Sequence, residues 1–320
     1  MFLGNLMIVE QVSRQILIVI LNTSLKGLLI IICVYILLVC SKKVSAKTLH
    51  LVWFLSIASF VLLPVLSLLL PPVKIGIFQL QTNPGKVYQT FASVISLDLS
   101  PTDSMQTVKF QIDQGVHELV LFSPMVRWTF CLLLWLTGAL TAFSRSYYGH
   151  VKAKKIVKNS KIVHQSKIVS LLRSLRGNNH VNRSVLLYSS TNISSPFTIG
   201  VIKPVIVIPA DMTAWKIIDI KPVLLHELVH ICRQDYLTQT ASKVICSLFW
   251  FVPVVWIALI KLYSEQENAC DEKVIRNGIA PRHYVNQMFK IACSAAGTNA
   301  APGLFMINGR MKLFEESGEQ

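Results

Sequence analysis

Apolar residues gather in three long runs in the first half of the chain, at residues 16–40, 49–70 and 119–143. Each run is long enough to cross about 30 Å of hydrocarbon as a helix. Asn22 and Lys26 interrupt the first run and Arg127 the third. They read as side chains snorkelling to an interface, with a buried functional ion as the alternative. Beyond residue 143 the pattern changes. Residues 162–176 have helical spacing with Lys and Arg on one side, which suits either a helix lying on anionic lipid or an ordinary solvated helix. Two runs rich in β-branched residues follow, VLLYSS at 185–190 and VIKPVIVIP at 201–209, joined through SSPFTIG with its turn formers Pro196 and Gly200. They predict a small sheet. Helix is predicted from about Lys221, with Pro222 suited to a first turn, to about Gly278.

Composition agrees with a membrane protein. Of the 320 residues 52% are hydrophobic and only 15% charged, too apolar a mixture for a soluble globule of this length. The formal net charge of +15 is distributed as topology rather than as a nucleic-acid footprint. The loop SKKVSAK after the first run is basic, and no acidic residue occurs from Ser144 to Ala210. Residues 71–117 balance three Lys against three Asp. Short-loop Lys and Arg stay cytoplasmic, so the N-terminus and an external loop at 71–117 are expected outside and residues 144–320 inside. This divides the chain into a transmembrane region, 1–143, and an inner domain, 144–320. The first run is followed by more spans and by no small-residue cleavage signal, and is expected to remain as a helix. Seven cysteines without a CxxC pair suggest neither a disulfide framework nor a zinc knuckle.

The chemistry lies in LLHELVHICRQDY. His226 and His230, four residues apart, share one helical face and can reach a single ion. Glu227 is rotated from His226 by about 100° and flanks the metal, where a general base must sit to take a proton from water. Downstream, SEQENACDEKVI places Glu267 and Asp271 on one face of a second helix. Glu267 is the expected third ligand and Asp271 a carboxylate that orients a ligating histidine. Zn²⁺ is the expected cofactor.

With those residues in view, the chain resembles the BlaR/MecR-type membrane zinc peptidases. HELVHICRQD fits the pattern HExxHxxRxD, FWFVPVVW and ENACD follow, and SSPFTIGVIKPVIVIP has the look of the family's strand before the catalytic helix. The resemblance is strong from about Val185 to Ile275 and looser over the spans. It implies a gluzincin site with Glu as third ligand, proteolysis on the cytoplasmic side, and a protein substrate that in the best-known members is a transcriptional repressor. The antibiotic sensors of that family continue into an external penicillin-binding domain. No further apolar stretch follows Glu267 here, and direct β-lactam sensing is not expected.

The expected fold is therefore mainly α: three transmembrane helices and a cytoplasmic-side α+β zinc peptidase domain. One further apolar run, ICSLFWFVPVVWIALI, would ordinarily be read as a fourth span. A crossing there would strand Glu267 on the far side from His226 and His230. Pro253 permits a membrane-contacting helical hairpin over 243–262 instead.

Other residues have weaker claims. Arg233 could stabilise an oxyanion or pair with a carboxylate, and Asp235 reads as pointing to the opposite face. His283 and Tyr284 could supply a transition-state donor or lie at the surface; Cys232 and Cys270 read as packing residues. Val201, Ile202, Val205 and Ile206 suit an exposed strand edge that adds a peptide substrate, although core packing explains their composition equally well. The leading function is an integral membrane zinc endopeptidase that cuts a cytoplasmic regulatory protein or a membrane-proximal segment. The alternatives are a non-catalytic zinc-fold signalling subunit, against which Glu227 speaks, and a nucleic-acid-binding membrane protein, for which no motif is present. Membrane lipid is a partner, and a homodimer is among the assemblies the sequence allows.

Overall fold

The computed structural model describes residues 2–40, 44–69 and 124–296, with side chains over 8–40, 44–66 and 127–294. The expected external loop, residues 119–123 of the third run and the chain after 296 lie outside the described residues. Contacts divide the chain into two compact units, Met1–Val19 with Pro64–Leu134, and Ile20–Leu63 with Trp135–Gln320.

Helices α1 (Phe2–Cys40), α2 (Ala46–Leu69) and α3 (Pro124–Lys158) carry the three apolar runs. Among the described residues, Ile8–Cys40 and Ala46–Leu66 are long and apolar enough to cross a membrane, with mean hydropathies of 2.4 and 2.2. Their hydroxyls turn back onto their own helices, Ser24 donating to the Ile20 carbonyl and Ser56 to that of Val52, both at 2.7 Å. That is how a polar side chain avoids an unmet hydrogen bond in hydrocarbon. Leu25, Leu29, Ile36, Leu55 and Leu62 are exposed, as a lipid-facing surface requires. In the first unit, Glu10 accepts from the amides of Trp128 and Thr129 at 3.0 and 3.2 Å, near the start of α3. Beyond Phe143, α3 continues as a basic helix.

In the second unit the sheet comprises β1 (Lys161–Ile162), β2 (Leu186–Ser190), β3 (Phe197–Ile199) and β4 (Val205–Pro209), in the order β1-β2-β4-β3. β2 and β4 are parallel, with Leu187 opposite Ile206. β3 folds back antiparallel on β4 through a turn in which Gly200 has φ +99° and a Cβ would meet the Lys203 carbonyl at 2.8 Å. This arrangement corrects the expected substrate strand. Val205 and Ile206 belong to an interior strand paired on both sides, and Ile206 is fully buried. Val201 and Ile202 lie in the turn instead of a strand. Lys203 and Pro204 interrupt the run, so its first half cannot join the ladder. β3 takes the edge.

Helix α4 (Ser166–Asn178) buries Ile168, Leu172 and Leu175 in the core beside β2, β4 and the next long helix. Its apolar stripe is thus spent on the protein interior, which answers the lipid alternative. After a 3₁₀ turn at Ala210–Ala214 comes α5 (Ile217–Arg233), which begins a turn earlier than its proline suggested. Pro222 therefore sits inside the helix and cannot donate to the carbonyl of Ile218. A ring nitrogen of His283 lies 3.1 Å from that oxygen.

α5 ends at Gln234, which is left-handed at φ 59° and ψ 34°, and α6 (Asp235–Leu248) starts immediately in a new direction. The apolar run 244–260 is not one helix. Residues 249–252 form a turn, and α7 (Pro253–Arg276) restarts with Pro253 in its first turn, where a missing N–H costs nothing. The tip of this α6–α7 hairpin packs Phe249, Val252 and Val255 against Ile31, Trp53, Ile57 and Phe60 of α1 and α2. Three indoles serve its carbonyls and that of its neighbour: Trp135 donates to Leu248 O at 3.0 Å, Trp250 to Trp135 O and Trp256 to Trp250 O at 3.1 Å. A helix end in apolar surroundings needs such donors. Gly138 of α3 leaves room for the Trp250 ring, which a Cβ would approach to 2.2 Å. α8 (Pro281–Ala296) closes the described chain.

Candidate metal centre

The last two turns of α5 are apolar on nearly every side: Leu224, Leu225, Leu228 and Val229 are buried along with His226 and Glu227. A histidine enclosed in this way needs partners for both ring nitrogens. Each finds one on its outer side. His226 Nδ1 lies 2.7 Å from the Tyr284 hydroxyl and 3.2 Å from Asp271 Oδ1, and Tyr284 in turn donates to Asp271. His230 Nδ1 lies 2.8 Å from Asp235 Oδ2, while Arg233 Nε is 3.3 Å from both oxygens of Asp235.

With the Nδ1 atoms donating outward, both Nε2 lone pairs point inward, and these two atoms are 3.1 Å apart. The Glu267 carboxylate completes a triangle, with Oε2 3.5 Å from His226 Nε2 and Oε1 3.7 Å from His230 Nε2. Two facing lone pairs beside a carboxylate repel unless a cation lies between them. Ligand atoms 2.0–2.1 Å from a tetrahedral ion stand about 3.3 Å from one another, close to the spacing found. The donor set fits a metal ion, and His226, His230 and Glu267 can together hold one. The electrostatics agree. Burial pushes His226 down, but hydrogen bonds and charge from Asp271 and Glu267 outweigh it and raise its pKa to about 10 without a metal. His230 is also raised against burial, by Asp235 and Glu267. The pocket stabilises positive charge.

Glu227 lies beside this triangle on α5. Thr198 of edge strand β3 donates to its Oε2 at 2.8 Å. Cys270 sits 3.3 Å from His230 Nδ1 and 3.5 Å from Asp235. Burial, with Asp235 and Glu267 nearby, pushes its thiol well up, and His230, Asp235 and Cys270 form a second group able to hold a metal. Cys232 is exposed.

The structure thus brings together His226, Glu227, His230, Glu267 and Asp271. It does not bring in His283, whose ring is engaged with Ile218 O and lies 3.8 Å from Asp219. Arg233 takes the carboxylate pairing of its two alternatives. Asp235 departs from the sequence reading: the left-handed Gln234 ends the helix, so the helical phase that would place it opposite does not apply. Tyr284 is buried at the site rather than at the surface. Thr198 reaches the site across 29 residues of sequence and nothing in local pattern marks it; Tyr284, for which a donor at the site was one of two readings, reaches it across 58. Asp235 had a signal, the final position of HExxHxxRxD.

A helix-borne HExxH segment, a carboxylate from a following helix and apolar membrane-length helices define a membrane metallopeptidase. The chain belongs to the M56 peptidases: the family model described as BlaR1 peptidase M56 matches residues 18–312. It is 30% identical over 185 residues to regulatory protein BlaR1 of Bacillus licheniformis, covering 56% of this chain and 31% of that protein. It is 24% identical over 239 residues to the methicillin resistance mecR1 protein of Staphylococcus aureus (strain Mu50), covering 73% of this chain and 38% of that one. The mecR1 protein of Staphylococcus epidermidis matches to the same extent. The chain spans about a third of the length of these relatives.

Proposed function

We propose that this chain is a zinc endopeptidase of the cell membrane that cuts a cytoplasmic regulatory protein, of repressor type, or a membrane-proximal segment. The observation that carries the reading is the inward convergence of His226 Nε2, His230 Nε2 and the Glu267 carboxylate, with Glu227 next to them. Zinc held there would polarise a peptide carbonyl and make adjacent water acidic near neutral pH.

The chain's own groups do the rest. Glu227 takes the proton of the attacking water as oxygen adds to the scissile carbon, then gives it to the amide nitrogen as the C–N bond breaks. Thr198 holds that carboxylate in place from β3. Asp235 fixes the ring of His230, while Asp271 and Tyr284 fix that of His226. β3 pairs with β4 on one side, and its other edge is the place for a substrate strand to add. Three spans put the N-terminus outside and the site inside, in keeping with the basic residues that follow Phe143.

The test compares the proteins of cells carrying the wild type and Glu227→Gln. A fragment present with the wild type and absent with the variant identifies the substrate; identical fragment sets would overturn the reading.

A further inference from the structure

The α6–α7 hairpin meets the membrane helices through two histidines, and both contacts fall one residue from a carboxylate of the metal centre. Gln266, which precedes Glu267, is fully buried. Its side-chain amide is engaged three ways: Nε2 donates to Thr238 Oγ1 at 2.9 Å and to His50 Nε2 at 3.0 Å, and Oε1 accepts from Gln239 at 2.9 Å. Thr238 and Gln239 lie on α6, so one amide ties α6, α7 and α2 together at the level of Glu267. His50 is buried at the fifth position of α2, a helix whose face is otherwise apolar. An ionisable side chain kept in such a helix is expensive and faces a partner for a reason. The second contact is from α3: His150 Nδ1 is hydrogen-bonded to the hydroxyl of Tyr236, which follows Asp235, and the two rings lie 5.9 Å apart.

We propose that His50 and His150 are positioning residues of the metal centre: His50 sets Glu267 through Gln266, and His150 sets Asp235, hence His230, through Tyr236. The proposal rests on the metallopeptidase reading above. The physical reason is rotational. Glu267 and Gln266 are fixed to one helix, so the amide that pins Gln266 also fixes the rotation and height of α7 at the ligand. A site needs its groups held within about 0.5 Å and 10–20°. Apolar packing at the hairpin tip lies several turns away and constrains rotation less well than a three-way hydrogen bond beside the ligand. Asp235 opens α6 directly after a left-handed residue, and Tyr236 is the next side chain in that opening turn.

The experiment uses the full chain in lipid nanodiscs, with Zn²⁺ affinity measured by chelator competition and the visible spectrum of the Co²⁺-loaded protein as a readout of ligand geometry. Melting of the metal-free protein serves as the stability control. His50→Ala is expected to weaken zinc about tenfold, in the range of outer-sphere changes, and to alter the cobalt spectrum. His50→Gln, which keeps an acceptor, should recover most of both. Tyr236→Phe removes a single hydroxyl and should weaken zinc several-fold with little change in melting. It also keeps the test decisive if His50→Ala does not assemble. Wild-type zinc affinity and cobalt spectra in His50→Gln, Tyr236→Phe and His50→Ala alike would overturn the proposal, as would lowered melting with unchanged metal binding. Failure of the wild type itself to bind zinc would overturn the metallopeptidase reading and this proposal with it.

Discussion

At the scale of single residues, the metal centre consists of a few buried polar groups, each of which would be costly without its neighbour. His226 and His230 are held in one ring orientation by Asp271, Tyr284 and Asp235. Asp235→Asn and Asp271→Asn should therefore each keep the fold and weaken zinc by about 10- to 100-fold, measured by chelator competition. Unchanged affinity in either would remove that carboxylate from the centre. Glu227→Gln should retain zinc and lose hydrolysis by at least about a hundredfold. Thr198→Val, which frees the Glu227 carboxylate and gives up a longer contact to the Glu227 carbonyl, should cost less in kcat and leave metal content alone. If Thr198→Val matched Glu227→Gln, the threonine would have a larger role than holding the base. The grouping of His226, His230 and Glu267 was legible because helical spacing is a local property. Thr198 was not, since its contact depends on how β3 packs, and the packing of α8 decides between the two readings of Tyr284. Of the two readings of His283 the site donor falls away, because its ring serves the Ile218 carbonyl, which is orphaned by a proline inside the helix and not at its start.

At the scale of elements, two breaks decide the geometry. The first is Gln234, whose left-handed backbone lets α6 restart with Asp235 turned toward His230. Gln234→Gly should be tolerated, whereas Gln234→Val places a β-branched residue at positive φ. It should cost about 1–2 kcal/mol in melting and weaken zinc along with it. Equal zinc affinity in both variants would detach the break from the site. The second break is the turn at 249–252. Pro253 made it legible, since the proline cannot continue a helix from before it. The interior place of β4 was not legible, because its parallel pairing with β2 is made across β3 and two turns and not through one hairpin. Gly138 shows what the hairpin requires of α3. Gly138→Val should overpack against Trp250 and cost about 1–3 kcal/mol, and Trp250→Ala in the same chain should relieve part of that loss. Additive losses would mean that the two residues do not meet.

At the scale of the whole molecule, the turn at 249–252 is expected to return the chain to the side of the membrane from which it left. Single cysteine labels at the exposed positions Thr240 and Lys261, one on each arm, should react from the same side of the membrane. Opposite accessibility would mean a crossing, which parts Glu267 from the histidines by about 30 Å. The hydrogen bond from Gln266 to His50 also sets a height. His50 is only four residues beyond the start of α2, a rise of about 6 Å, so the residues around Glu267 lie level with the first turn of a membrane helix. Under the proposed function a scissile bond would have to come down to that level. A compact folded protein would be kept from it by the lipid surface. It could reach that level only with a slack stretch of chain, and about ten extended residues reach some 30 Å. The enzyme would then select substrates by where they are slack and how near the bilayer they are held, before any side chain is read.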